Sequence, residues 1–351
     1  MNSTNFKTKI QKEANKVLSK DLIDNIKSKY ILQKIFNNIK KKKLLYIIKY
    51  NKNIKSRINI NTTDYKEYNE LYSTIEVEIK TVNNKYGDFI NFNKRNKLYY
   101  HIYFNNNKEE IKRNYIKEDE NIKIIKIVID CEVKSFNKLF FNCDCIEYIN
   151  FTKFHRTNIS DMNSMFSLCS SLKELNLTNI KTNNVINISS MFHSCSSLKQ
   201  INLNNFNTDN VTDMSFMFFG CSSIKELNLN NFNTHKVNNM SYMFFGCSSL
   251  KDLNINNFDT YNVINMSGMF SGCSTLKELN LNNFNTNRVT HMGLMFDRCS
   301  SLKELNLNNF NSKNVINMRD MFYLCLDNLK IKIKNQYKNI YEFFCILKNN
   351  N

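Results

Sequence analysis

From about residue 131 onward, apolar positions return at a fixed interval of 26 residues. Cysteine keeps that beat at Cys143, Cys169, Cys195, Cys221, Cys247, Cys273, Cys299 and Cys325. Phenylalanine keeps it at Phe140, Phe166, Phe192, Phe218, Phe244, Phe270, Phe296 and Phe322. A β-branched column runs Val133, Ile159, Val185, Val211, Val237, Val263, Val289 and Val315. Self-similarity of this kind signals stacked repeats. Each copy contains two apolar periods. In "NVTDMSFMFFGCSSIKELNLNNFNTH" (210–235), Met214, Met217, Phe218 and Cys221 fall at i, i+3, i+4 and i+7. That spacing predicts one face of about two helical turns, with Thr208, Asp209 and Asn210 placed to cap the first. "IKELNLNNF" then alternates, so Leu227 and Leu229 share one face of a predicted strand and Glu226 and Asn228 the other.

One strand and one short helix cannot bury their own apolar faces, but stacked neighbours can. The expected result is a parallel sheet spanning seven strand gaps, roughly 34 Å at ~4.8 Å each. Within it, columns of Val, Met, Phe, Cys and Leu would form the core. "CSSLKELNLNNF" (299–310) carries Leu302, Leu305 and Leu307 at the leucine places of an L-x-x-L-x-L repeat. Together with "NVTDMSFMF", it resembles the BspA-like class of leucine-rich repeats over about residues 131–333. One departure is an aromatic (Phe206, Phe232, Phe258, Phe284, Phe310) where an asparagine often ends the motif. The resemblance implies an α/β solenoid, a right-handed coil with parallel sheet on one face and short helices on the other. For function it implies protein binding or adhesion rather than an enzyme.

The flanks predict further parts. A basic helical leader occupies 1–60, a small β-rich region 61–130, the solenoid with about eight repeats 131–333, and a C-terminal capping helix 334–351. In the β region "TIEVEIKTV", "DFINF" and "LYYHIYF" read as strands. "ENIKIIKIVIDCEV" (120–133) is a β-rich lead-in, and 133–158 a degenerate first copy. "LKIKIK" (329–334) alternates like an edge strand guarded by lysines. "QYKNIYEFFCIL" after it is the expected closing helix. In the leader, Ile31, Leu32, Ile35 and Phe36 resemble the opening stretch of an F-box. Ser28 and Lys29 stand where that motif has Leu-Pro, and its later tryptophan is missing. The resemblance over 28–58 implies a substrate receptor of a ubiquitin ligase, docking an adaptor through the leader.

Charge shifts the emphasis to the leader without identifying its partner. The 351-residue chain carries a formal +18, of which 1–60 hold +13 from 16 basic and 3 acidic residues. Such a segment suits acidic partners, but no arginine-rich or aromatic-interleaved pattern supports nucleic acid, which is not the expected partner. Mean hydropathy is −0.46, and no apolar run of 18 residues predicts a membrane span. The first residues lack a secretory apolar stretch. A cytoplasmic protein is expected, with a surface adhesin of the BspA-like type as the alternative.

Candidate chemistry is sparse. Of the eleven cysteines, eight keep whole-repeat spacing and Cys143 and Cys145 form only a C-x-C, not zinc pairs, so buried thiols in a reducing compartment are expected. His193, His235 and His291 fall at different phases of the repeat, and His101 and His155 lie outside its regular copies. With six glycines and no nucleophile or phosphate-loop motif, no enzyme, metal or cofactor is expected. A protein ligand would meet the outward strand stripes, here Glu226, Asn228, Asp252, Asn254, Glu278 and Asn280. The adjacent lysines, Lys225, Lys251 and Lys277 among them, are expected to neutralise the acids. The alternative role for these stripes is to keep a long sheet soluble and in register. Where copies differ, Phe216, Phe219, Tyr242 and Phe245 gather on two adjacent copies. They form an aromatic anchor if exposed, or additional packing if covered.

Overall fold

The computed structural model of the chain describes residues 73–92, 97–130 and 133–337, together with Ser28 and Ile31. The expectations for the leader, including the F-box-like residues 28–58, and for most of "QYKNIYEFFCIL" lie outside the described residues.

The β-rich region builds a cap on the repeats. Its strands are β1 (Ile75–Thr81), β2 (Gly87–Asp88), β3 (Tyr100–Phe104), β4 (Glu110–Ile111), β5 (Tyr115–Ile116) and β6 (Ile124–Ile129). Alternation drives the packing: Ile75, Val77 and Ile79 of β1 and Ile125, Ile127 and Ile129 of β6 are buried. The strand β7 (Ile146–Lys153) belongs to the first copy, and β8 (Glu174–Asn176) to the second. All but β2 and β5 of these form one sheet in the order β4-β3-β6-β1-β7-β8. β7 is the pivot, antiparallel to β1 and parallel to β8. A sheet that continues into the stack leaves the first repeat no open edge to aggregate. Arg156, fully buried, secures the junction by donating to the carbonyls of Ser73 and Ile129. It stands 26 residues before Thr182, where the later copies carry threonine and the last carries Ser312.

Beyond β8 the copies stack as coils, and here two expectations are corrected. The stretch from Met214 to Cys221 is a series of turns, not a helix. Its N–H groups alternate in destination. Met217, Phe219 and Cys221 donate three residues back, to Met214, Phe216 and Phe218. Phe216, Phe218 and Gly220 donate to the next coil, to Ser241, Met243 and Phe245. An α-helix sends every such bond to its own chain four residues back. Here half of them join neighbours instead. Two residues per coil take the left-handed conformation to allow it, Phe216 (φ 57°) and Gly220 (φ 67°), with equivalents in all eight copies. The predicted apolar face survives, because Met214, Met217, Phe218 and Cys221 are all fully buried. Thr208 does not cap a helix: its hydroxyl donates to the Asn233 carbonyl and accepts from the Asn233 N–H.

The second correction concerns the sheet. Regular parallel pairing in the repeats is confined to β7 with β8 and to β9 (Glu226–Asn228) with β10 (Asp252–Asn254). The uninterrupted parallel ladder runs elsewhere, through single bridges from Ser135 to Asp161, Asn187, Asp213, Asn239, Asn265, His291 and Asn317. Asp213 shows why that column holds: its carboxylate accepts from the N–H and hydroxyl of Ser215, fixing the turn locally. The mixed parallel and antiparallel pairing fits a repeat solenoid in which turns replace the expected short helices.

Three columns hold the coils together. The eight repeat phenylalanines, from Phe140 to Phe322, stack at centroid separations of 5.5–5.8 Å. Each thiol reaches back one coil: Cys247 Sγ lies 3.1 Å from the Phe218 carbonyl, and Cys169 through Cys325 repeat the contact at 2.9–3.2 Å. The nine described cysteines are free and buried. Burial raises their pKa values, to about 12 at Cys221, so each sulfur stays a protonated donor. Buried threonines Thr182, Thr208, Thr234, Thr260 and Thr286 form the third column, each bonding the backbone of the following coil.

At the far end α1 (Asp327–Gln336) spans the "LKIKIK" segment, so the predicted edge strand is a helix and begins before the predicted cap. Leu329 and Ile333, four apart, are buried, whereas Ile331 is exposed. A strand would have put all three on one side.

Candidate functional site

The two groups of candidate residues occupy different parts of the coil. Phe216, Phe219, Tyr242 and Phe245 sit on the turn series and are all half-buried. Phe216 stacks on Tyr242 at 5.0 Å, and Phe219 on Phe245 at 4.4 Å. His193 extends the second row, 4.6 Å from Phe219 and nearly parallel to it. The Tyr242 ring leans over Gly268, where an added Cβ would fall 2.4 Å from its Cε1. Ring faces are therefore used within the cluster wherever two rings stack. The sequence placed these residues together, and the structure adds that the cluster braces one coil against the next. Phe216 and Tyr242 do so from a left-handed backbone that bulky residues rarely adopt.

The strand-side candidates Glu226, Asn228, Asp252, Asn254, Glu278 and Asn280 are all exposed. Each stripe asparagine first serves its own turn, as Asn254 Oδ1 accepts from the Asn256 N–H and Asn280 Oδ1 from that of Asn282. The expected neutralisation by adjacent lysines does not occur at the central coils. Among the described residues Glu226, Asp252 and Glu278 make no ion pair, whereas Glu304 pairs with Lys332 at 2.9 Å.

Four of these six residues line a groove of about 1040 Å³. Its floor is Leu253, Leu279 and Leu305, each 6–8% exposed. Asp252, Glu278 and Glu304 run along it beside Asn254, Asn280 and Asn306, and α1 supplies Lys332, Ile333, Gln336 and, just past its end, Tyr337. The Tyr337 hydroxyl donates to Asn306 Oδ1 at 3.2 Å, tying the end of α1 to the wall. Glu226 and Asn228 lie outside this groove, as do the four rings. Reading 329–334 as a strand hid the contribution of α1. The i, i+4 spacing of Leu329 and Ile333 was the signal that could have found it. A smaller hollow, about 550 Å³, lies near the cap between Tyr148, Glu174, Asn176, Gln200 and Asn202.

One acid is buried on the turn side. Asp297 accepts from the Ser271 hydroxyl at 3.1 Å, while its Oδ1 has no hydrogen-bond partner among the described residues. Burial raises its pKa, against the lowering effects of Ser271 and Arg298. The folded state thus holds a proton more tightly than the unfolded chain. Its contribution to stability is full below the ordinary carboxyl range and is lost as pH rises through the folded value. Asp297→Asn is therefore expected to stabilise the protein more at pH 7 than at pH 4. Urea midpoints at both values check this, and an equal change at the two would contradict it. Among the described residues no group of three His, Cys, Asp or Glu side chains could hold a metal ion, and no helix is long and apolar enough to cross a membrane.

A search of curated proteins finds no match. Among solved structures, the chain is similar to a leucine-rich repeat protein of T. pallidum (TpLRR). The identity is 18%, over 59% of this chain and 78% of that one, with a TM-score of 0.33. It is also similar to a leucine-rich repeat protein from Bacteroides ovatus, at 17% identity over 61% and 68% of the two chains, with a TM-score of 0.22. A family described as "Mycoplasma protein of unknown function, DUF285" matches residues 134–252 and again 217–335. These matches overlap in the middle of the stack and together cover more than half of the chain, so the protein is a member of the DUF285 family.

Proposed function

We propose that the chain is a non-enzymatic interaction protein, a scaffold that offers its stacked-coil surface to a protein partner. The observation that carries this reading is the groove between the exposed strand stripes and α1. There free carboxylates and side-chain amides converge over leucines that leave a small apolar area open. Such a mixture suits recognition of another polypeptide. The ring column on the turn side supports the same role by stiffening the coils that carry the face. Unpaired carboxylates on this face have the wrong sign for a phosphate backbone. The test is affinity capture from the native cell, comparing the full chain with an Asp252→Lys, Glu278→Lys variant. A partner should be retained by the first and lost from the second, with circular dichroism unchanged. A partner held equally by both would remove the groove from the function.

A further inference from the structure

We infer that the groove takes an extended cationic peptide segment, one that places lysine or arginine side chains on Asp252 and Glu278. This rests on the partner-binding reading above and deepens it. The chain as a whole is strongly basic, at +18, yet three acids and one lysine line the groove. Glu304 and Lys332 satisfy each other at 2.9 Å. Asp252 and Glu278 make no ion pair or hydrogen bond through their carboxylates among the described residues, and both are exposed. Neutralising them is left to whatever enters.

The amides narrow the occupant to an extended chain. Asn254 and Asn280 use their Oδ1 atoms on the turn backbone. Their Nδ2 groups have no acceptor among the described residues, unlike that of Asn306, which donates to Asn282 at 2.8 Å. Free donors match the open carbonyls of an extended segment, whereas a helix keeps its carbonyls within itself. From Asp252 to Glu304 the acids span two coil spacings, about 10 Å at ~4.8 Å each. An extended chain advances ~3.3 Å per residue, so roughly three to four residues cover them. Apolar side chains of that segment would meet the 6–8% of Leu253 and Leu279 that stays exposed on the floor. The chemistry that fits is a short stretch mixing basic and apolar residues, held by charge-assisted contacts at its edge.

The test is fluorescence anisotropy with two labelled octapeptides, one alternating Lys and Leu and the other Glu and Leu, titrated with the full chain. The Lys–Leu peptide should bind saturably, and more weakly as salt rises. Its affinity should fall at least about tenfold, roughly 1.4 kcal/mol, in an Asp252→Asn, Glu278→Gln variant. These exposed neutral replacements preserve side-chain size and test the charges without burdening the fold. Binding undiminished in that variant, equal binding of the Glu–Leu peptide, or no binding at all would overturn the inference. If the peptides fail while the Asp252→Lys, Glu278→Lys variant still loses its captured partner, only the cationic assignment falls. Loss of both results removes the groove itself.

Discussion

Phe244→Ala is expected to lower stability by about 3–5 kcal/mol, the cost of emptying a fully packed aromatic site. The ring lies 5.8 Å from both Phe218 and Phe270, nearly parallel to each, and is fully buried. Its removal therefore opens a cavity facing two coils at once. In a stack where each coil contacts only its neighbours, a weakened interface uncouples the parts on either side. The urea transition, followed by circular dichroism, should move to lower denaturant and become shallower as the two parts begin to melt separately. An unchanged midpoint would mean that the phenylalanine column does not hold the coils together.

Thr234→Val should cost roughly 1–3 kcal/mol for each backbone group it leaves unpartnered. The substitution nearly conserves shape at a fully buried position, so packing changes little. What it removes is a two-way link to the next coil. Thr234 Oγ1 donates to the Asp259 carbonyl at 2.8 Å and accepts from the Asp259 N–H at 2.8 Å. Both groups would lose their partner at a part-buried position. Thr234→Ser, which keeps the hydroxyl, should recover most of the loss. The pair of variants, compared in the same denaturation experiment, separates the hydrogen bonds from the volume of the side chain. Equal stability of the Thr234→Val variant and the unaltered chain would show that those backbone groups find other partners.

Both expectations rest on columns that were visible as spacing. Cys221 and Phe218 could be assigned to the interior from recurrence alone, since one interval that brings apolar residues together in every copy satisfies burial only by stacking. The hydrogen-bonding role of the thiol was not visible. It depends on the Phe192 carbonyl of the preceding coil lying 3.0 Å away. The turn series was misread for a related reason. Met214, Met217, Phe218 and Cys221 have helical spacing, but periodicity reports only which side chains face inward. It is silent on where the backbone N–H groups go, and in this fold half of them leave the coil.

For the candidate site the division is similar. The aromatic cluster on adjacent copies and the acid and asparagine stripes were legible, because a fixed repeat converts sequence offsets into neighbours in space. The stacking of ring faces against one another was not, nor was the survival of Asp252 and Glu278 without lysine partners. Those outcomes follow from side-chain direction, which a repeat interval does not report.

What the sequence determined by itself, then, is the stack: its interval, its inward residues and its repetitive outer rows. Burial of apolar surface depends on composition and period, and both are written along the chain. What only the tertiary structure decided is how the ends close and where the outer rows become a cleft. β7 joined an antiparallel cap to the first coil, and α1 folded as a helix over the last. The joining of β7 to β1 and the seating of α1 against the strand stripes turned on contacts between segments far apart in sequence, which the repeat interval does not encode.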